Sequence, residues 1–290
     1  MSQPHLESLG VFIVRRHNAL SIKMVHSLVF AYELAHHDDR VKVVVLTGAG
    51  KSFCAGADLS NEGFGVAPGA PLSDHRDGGG QVVLAMLNCG KLIIAAVNGN
   101  AVGIGLTMTF PADLRICAQS AKLATPFVKR GIPCDALSSY LLPRLVGYSN
   151  ASKVFLTGDL FVPSSSVLSD LFYETKPAQD VLPTALALAE RLSRENSALS
   201  TALVKSQIWR PGGAIGGQLT GGIEEIHERE STALAWASLY GDAKEGVRSF
   251  MEKRPANFGS SLRKLRQSGI WPWWTLKDVS GRGARGASKL

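Results

Sequence analysis

The chain is sparing in several things at once. It has four cysteines (Cys54, Cys89, Cys117 and Cys134), and no two of them stand in CxxC spacing. That excludes a disulfide scaffold, a zinc ribbon and a thioredoxin-type redox pair, and leaves reduced, mostly buried thiols. Charged residues make up 19% and aromatics 7% of 290 residues, whereas apolar residues reach 45%. Such a chain can bury a sizeable core, and wholesale disorder is excluded. The opening MSQPHLES has no apolar stretch of signal-peptide type, so no secretory leader is expected. Two tempting nucleotide motifs fail as well. GAGKS at 48–52 resembles the end of a phosphate loop, but Val45 stands where the pattern needs its first glycine. GxGxxG fails after Gly48 and Gly50 and again after Gly103 and Gly105, because Phe53 and Met108 occupy the third glycine position, and there is no GxSxG nucleophile elbow.

Positive charge is present but localised. Residues 260–290 hold seven Lys/Arg against Asp278, so six of the net +7 lie in the tail. Without a patterned basic face carrying base-reading side chains, no nucleic-acid partner is expected. Residues 92–112 form a charge-free run of 21 positions, long enough to span a bilayer. Asn98, Asn100, three glycines and Pro111 interrupt it, so a buried strand, a glycine turn and a short helix are expected in place of a membrane span. His36-His37-Asp38-Asp39 has metal-type residues, but consecutive positions do not share a helix face, and a solvated helix end is expected.

Short apolar runs mark strands at 9–15, 41–47, 92–97, 114–117 and 121–124. Ser21 reads as the N-cap of a helix to about His37, and a short apolar helix is expected over 103–110. Residues 61–80, rich in Gly and Pro, read as a long surface loop. Helical periodicity dominates later, at 136–146, 150–156, 181–209, 218–239 and 242–253. The pattern predicts an α/β core followed by helices, in three parts: a core over 1–200, a helical region over 201–258 and a basic tail over 259–290. The tail, with Trp271-Pro272-Trp273-Trp274 and then SGRGARGASKL, reads as appended and partly flexible.

Two small-residue turns follow strands, Ala55-Gly56-Ala57-Asp58 and Asn98 to Gly105. Each serves as a plain structural turn, or lets backbone N–H groups approach a ligand. Two such N–H sites facing one cavity would form an oxyanion hole.

VVVLTGAGKSFCAGADL (43–59), KLIIAAVNGNAVGIGLTMTFPADLRICAQSAKLATPFVKRGIP (91–133), SSYLLPRLVG (138–147), ASKVFLTGD (151–159) and EGVRSFMEKRPANF (245–258) resemble the crotonase superfamily of enoyl-CoA hydratases and isomerases. The resemblance implies a crotonase-like spiral of ββα turns with a helical C-terminal trimerisation region, a homotrimer or hexamer, and acyl-CoA thioester substrates. It assigns the oxyanion hole to the N–H groups of Ala57 and Ile104, with Ala55, Gly56, Ala57, Asp58, Leu59 and Ile104 contacting substrate. The two glutamates of hydratases fall on Thr107 and Phe127, which cannot do their work. Asp135 falls where peroxisomal Δ3,Δ2-enoyl-CoA isomerases carry their catalytic acid. Its plainer reading is an N-cap for a helix starting at Ala136. A 3-enoyl-CoA to 2-enoyl-CoA isomerase is therefore expected. The alternatives are a hydratase or dehydratase on a specialised acyl-CoA of toxin or siderophore type, with Asp135 as sole acid/base, and a non-catalytic acyl-CoA-binding protein. No metal, nicotinamide or flavin is called for, since coenzyme A arrives as part of the substrate. The loop at 61–80 either borders the acyl pocket or is an ordinary surface loop. Ser288-Lys289-Leu290 matches the peroxisomal import signal, so a peroxisomal location and an import-receptor partner are expected.

Overall fold

The computed structural model describes residues 18–58, 75–210, 214–215, 218–219 and 223–274. The strand expected at 9–15, Leu59, most of the loop at 61–80 and Ser288-Lys289-Leu290 lie outside the described residues.

Ser21 opens α1 (Ile22–His37), its hydroxyl accepting the Met24 N–H at 3.3 Å. The helix buries Val25, Leu28 and Tyr32. Three strand pairs follow. The first is β1 (Val43–Thr47) and β2 (Ser52–Cys54), after which comes α2 (Gly78–Asn88). The second is β3 (Leu92–Val97) and β4 (Asn100–Val102), followed by α3 (Ile104–Thr107). The third is β5 (Leu114–Ala118) and β6 (Leu123–Ala124), followed by α4 (Ser138–Thr157). The chain continues through β7 (Leu160–Phe161), β8 (Glu174–Lys176), α5 (Ala178–Glu195), α6 (Ala198–Trp209), β9 (Ala214–Ile215), β10 (Gln218–Leu219), α7 (Ile223–Ser238), α8 (Gly241–Met251) and α9 (Leu262–Arg266).

Each pair bends sharply at a short turn, so its two strands enter different sheets. One sheet is parallel throughout in the order β1-β3-β5-β8; the other runs β2-β4-β6-β7, with β7 antiparallel. Equivalent strands thus stack turn upon turn, with Thr47 opposite Ala96 in one sheet and Cys54 opposite Ala101 in the other. This is the spiral of ββα turns expected from the resemblance. The charge-free run 92–112 is consumed by β3, β4 and α3, and among the described residues no helix is long and apolar enough to cross a membrane. β3 is central, so Ile93 to Val97 are fully buried. β1 is half-buried although its run is solidly apolar, and among the described residues it is the last strand on its side of the sheet.

Several sequence expectations need correction. Gly78–Gly80, read as loop, begin α2. Three glycines make a poor helix start, but Asp77 caps it and Val82, Val83 and Met86 bury its inner face. By contrast, the two helices expected at 136–146 and 150–156 are borne out, because the helical span α4 is broken at Gly147 (φ 78°, ψ 159°) into two helical stretches. The helix expected over 181–209 is two. Ser197 breaks it, accepting the Ser200 N–H at 3.3 Å as the cap of α6. The first half of the supposed tail is built into the protein. Leu262 and Leu265 of α9, with Trp271, pack against Leu199, Ala202 and Leu203 of α6. Trp271 also stacks on His36 and donates to Ser206 at 2.9 Å. Aromatic area of that size is favourable to bury, which a tail read only by its charge does not reveal.

Candidate active site

The parallel pairing of β2 with β4 delivers the two small-residue turns side by side. After β2, Leu20 clasps the first turn. Its N–H donates to the Gly56 carbonyl at 2.8 Å, and its carbonyl accepts the Asp58 N–H at 3.0 Å. Ala57 lies between them and takes no part in either bond. After β4, Gly103 donates to the Ala124 carbonyl at 2.8 Å, and α3 begins at Ile104. As the first helical residue, Ile104 has no intrahelical acceptor for its N–H. Among the described residues, no protein acceptor is recorded for the N–H of Ala57 or Ile104. The helix is a single turn of four residues, so little macrodipole stands behind this N–H and the donors act as individual hydrogen-bonding groups.

Glycine is required where these turns touch. Gly56 has φ +112°, and a Cβ there would lie 3.2 Å from the Val102 carbonyl oxygen. A Cβ on Gly105 would fall 2.2 Å from the Cys54 carbonyl oxygen, a clash of backbone with backbone.

Asp135 precedes a turn in which Ala136 and Leu137 both take left-handed conformations (φ 53° and 55°). That turn delays the start of α4 until Ser138, so the expected helix N-cap at Asp135 does not form. The Asp135 main-chain carbonyl accepts the Ser138 N–H at 2.8 Å. The carboxylate turns elsewhere: the Thr107 hydroxyl donates to its Oδ1 over a long 3.5 Å. Thr107 lies one turn of α3 beyond Ile104 and is fully buried. Burial foremost, and then the negative charge of Asp77, push the Asp135 carboxyl up to about 6; the Thr107 hydroxyl opposes this.

Phe127 is 4% exposed and pairs its ring with Phe155 at 6.4 Å. It is an apolar wall beside Gly103. Cys134 is half-buried, and burial pushes its thiol up. Ala55 is exposed at the start of the first turn, and Gly56, Ala57 and Asp58 follow it inward.

Sequence reasoning missed Asp77. Its Oδ1 accepts the N–H of Gly80 at 2.5 Å and that of Ala136 at 3.2 Å. A Cβ on Gly79 would lie 2.5 Å from Ile104 Cδ1 and 3.1 Å from the Ala136 Cβ. The start of α2 therefore touches both Ile104 and the turn carrying Asp135. The signal was an Asp ahead of a glycine-led apolar run, legible as an N-cap but not as a tie to a segment 59 residues away. Among the described residues, no cluster of three or more His, Cys, Asp or Glu side chains is placed to hold a metal.

Two unengaged N–H groups on touching turns can receive an oxyanion, and a half-buried carboxyl that holds its proton to about pH 6 can both take and return one. Fold and site together define an enzyme of the crotonase architecture, with two N–H groups on touching turns beside a single carboxyl. The family model for enoyl-CoA hydratase/isomerase matches residues 11–261, and the chain belongs to that family. It is 40% identical over 271 residues to "Enoyl-CoA hydratase ACTT3" of Alternaria alternata, covering 92% of this chain and 88% of that protein. It is 29% identical over 246 residues to the 1,2-epoxyphenylacetyl-CoA isomerase of Escherichia coli, covering 84% of this chain and 90% of that one. Among solved structures, a "probable enoyl-CoA hydratase/isomerase from Mycobacterium abscessus" superposes with TM-score 0.74 at 33% identity, covering 84% of this chain and 91% of that one.

Proposed function

We propose that this enzyme converts 3-enoyl-CoA thioesters to 2-enoyl-CoA thioesters. The thioester carbonyl accepts hydrogen bonds from the N–H groups of Ala57 and Ile104, with Ala55, Gly56 and Asp58 lining its approach. Asp135 takes a proton from C2. The electron pair moves toward the carbonyl, and the N–H pair holds the resulting dienolate. The same carboxyl then returns the proton at C4, leaving the double bond between C2 and C3. One proton moves and nothing is oxidised, so coenzyme A within the substrate is the only carrier needed. One observation carries this reading: the Asp135 carboxylate is left out of the helix cap and sits in a half-buried setting that raises it to about 6. A proton-transfer group works best when its proton affinity is near the operating pH.

The hydratase name of the Alternaria relative favours a second reading. In it Asp135, aided by the Thr107 hydroxyl, activates water for addition to a 2-enoyl-CoA. Incubation in deuterated water with each substrate separates the two. Isomerisation gives a conjugated product with no added water, carrying deuterium only where the Asp135 proton exchanges with solvent before its return, whereas hydration gains the mass of heavy water. Water addition without isomerisation would overturn the first reading, and an Asp135→Asn enzyme with full activity would overturn both.

The Ser288-Lys289-Leu290 terminus supports a peroxisomal location through an import receptor, testable by fluorescence of the full chain with and without Leu290. A homotrimer or hexamer is supported by the exposed apolar side chains Leu234, Leu239, Val247, Phe250 and Met251 around α7 and α8. Sedimentation of the purified chain decides it.

A further inference from the structure

Asp77 caps α2, yet a cap needs only one acceptor bond, and Asp77 makes two. The same Oδ1 that accepts the Gly80 N–H at 2.5 Å also accepts the Ala136 N–H at 3.2 Å. Ala136 directly follows Asp135 and opens the pair of left-handed residues, neither of them glycine, that swings Asp135 out of the helix cap. Left-handed backbone at two consecutive side-chain-bearing residues is strained, and persists only where the surroundings hold it. Among the described residues, the Asp77 carboxylate is the side chain bonded to this turn's backbone N–H groups.

We propose that Asp77 is a positioning residue for the isomerisation: by gripping the Ala136 N–H it holds the strained turn that aims Asp135 at the substrate carbons. The proposal rests on the reading of Asp135 as the proton-transfer group. It gives Asp77 a second effect, through charge. Of the groups packed against Asp135, α3 contributes only the uncharged Thr107 hydroxyl, and its own turn contributes the Cys134 thiol, which burial keeps protonated. The charge that acts on Asp135 comes from Asp77. It discourages a second negative charge nearby and so favours the protonated form of Asp135.

Two substitutions separate these effects from capping. Asp77→Ser keeps a good N-cap, but its hydroxyl sits one bond closer to the backbone and cannot serve both Gly80 and Ala136. Its expected result is kcat lowered about tenfold to a hundredfold with KM changed less than twofold, since a misaimed proton-transfer group loses rate and not binding. Asp77→Asn keeps both acceptor bonds and removes the charge. Its expected result is a fall in the titration midpoint of Asp135, followed by carboxyl ¹³C NMR and assigned with Asp135→Asn. The acid limb of kcat/KM moves to lower pH with it. Asp77→Ser with unchanged kcat, or Asp77→Asn with an unmoved midpoint, would overturn the proposal. If Asp77→Ser fails to fold, Asp77→Thr, a cap of the same short reach, is read by the same kcat-against-KM split, while the charge effect is read from the Asp77→Asn titration. That titration needs no turnover, and the Asp135→Asn assay tests the isomerase reading separately, so the two ideas fail independently.

Discussion

Replacing Asp135 with Asn should abolish proton transfer and stabilise the folded protein, and the stabilisation should depend on pH. In the unfolded chain an Asp titrates near 3.8, whereas burial and Asp77 push Asp135 up to about 6 in the folded state. The folded state therefore binds this proton more tightly than the unfolded state does. Below about pH 4 both states are protonated and the site contributes nothing. Between about pH 4 and 6 the unfolded chain releases its proton while the folded one retains it, so stability falls as pH rises. Above about pH 6 the full penalty of holding a charge in the site is present. The gap between 3.8 and about 6 corresponds to a penalty of about 3 kcal/mol at pH 8, and about half of that at pH 5. Asparagine removes the charge and can still accept from Thr107. The variant should exceed the native enzyme in stability by a margin that widens by about 1.5 kcal/mol between pH 5 and pH 8. Urea unfolding of both proteins at the two pH values, at one fixed protomer concentration because assembly shifts apparent stability, measures the margin. A margin independent of pH would mean that Asp135 is not held in a charge-disfavouring site, and the mechanism built on it would fall.

Thr107→Val removes the hydroxyl that favours ionised Asp135; the acid limb of the pH–rate profile should move to higher pH, read from kcat/KM across pH 5 to 8. Gly105→Ala places a methyl 2.2 Å from the Cys54 carbonyl oxygen and should destabilise by about 3 kcal/mol while disturbing Ile104, measured as a lowered unfolding midpoint together with reduced kcat. Asp113 accepts the Ile93 N–H at 2.7 Å and pairs with the buried Lys205 ammonium at 3.1 Å. Asp113→Ala leaves that charge unpaired and should lose about 3–5 kcal/mol, checked by urea denaturation beside Asp113→Asn, which should lose less.

How much of this was legible depended on how local the cause was. VVVLT and LIIAAV declare strands because a short β-branched run between turn signals has few other uses, and Ser21 declares a helix start by its capping chemistry. The touching turns were visible as small-residue clusters, but their adjacency comes from the β2–β4 pairing, 48 positions apart at Ser52 and Asn100. α2 was missed because its first turn, Gly78–Gly80, opposes helix formation and is rescued by Asp77 and by burial of its inner face against the core. The turn at Ala136 and Leu137 left no trace at all, since neither residue type prefers positive φ. Its cause is tertiary, and so was the failure of the Asp135 cap.

That same turn bears on why an aspartate can serve at this position. A glutamate reaches farther by one methylene and can search for its geometry through an extra side-chain torsion. An aspartate has less reach and fewer rotamers, so the backbone must do the aiming. The backbone is unusual at this point: two left-handed residues, fixed by an N–H bond to Asp77 on another element, with Thr107 bracing the carboxylate from α3. Phe127, which the resemblance aligns with the second acid of a two-glutamate hydratase, is a buried apolar side chain. A single short acid on a clamped turn suits a reaction in which one group takes and returns one proton over neighbouring carbons. It suits less well a reaction that must also orient water with a second carboxylate. Restoring length without moving the turn is therefore an informative change. Asp135→Glu should project its carboxyl too far and lose about tenfold or more in kcat, with the ratio of C2 to C4 deuterium in recovered substrate and product reporting which carbon the longer arm now favours. An Asp135→Glu enzyme matching the native rate and deuterium ratio would show that the clamp does not set the aim.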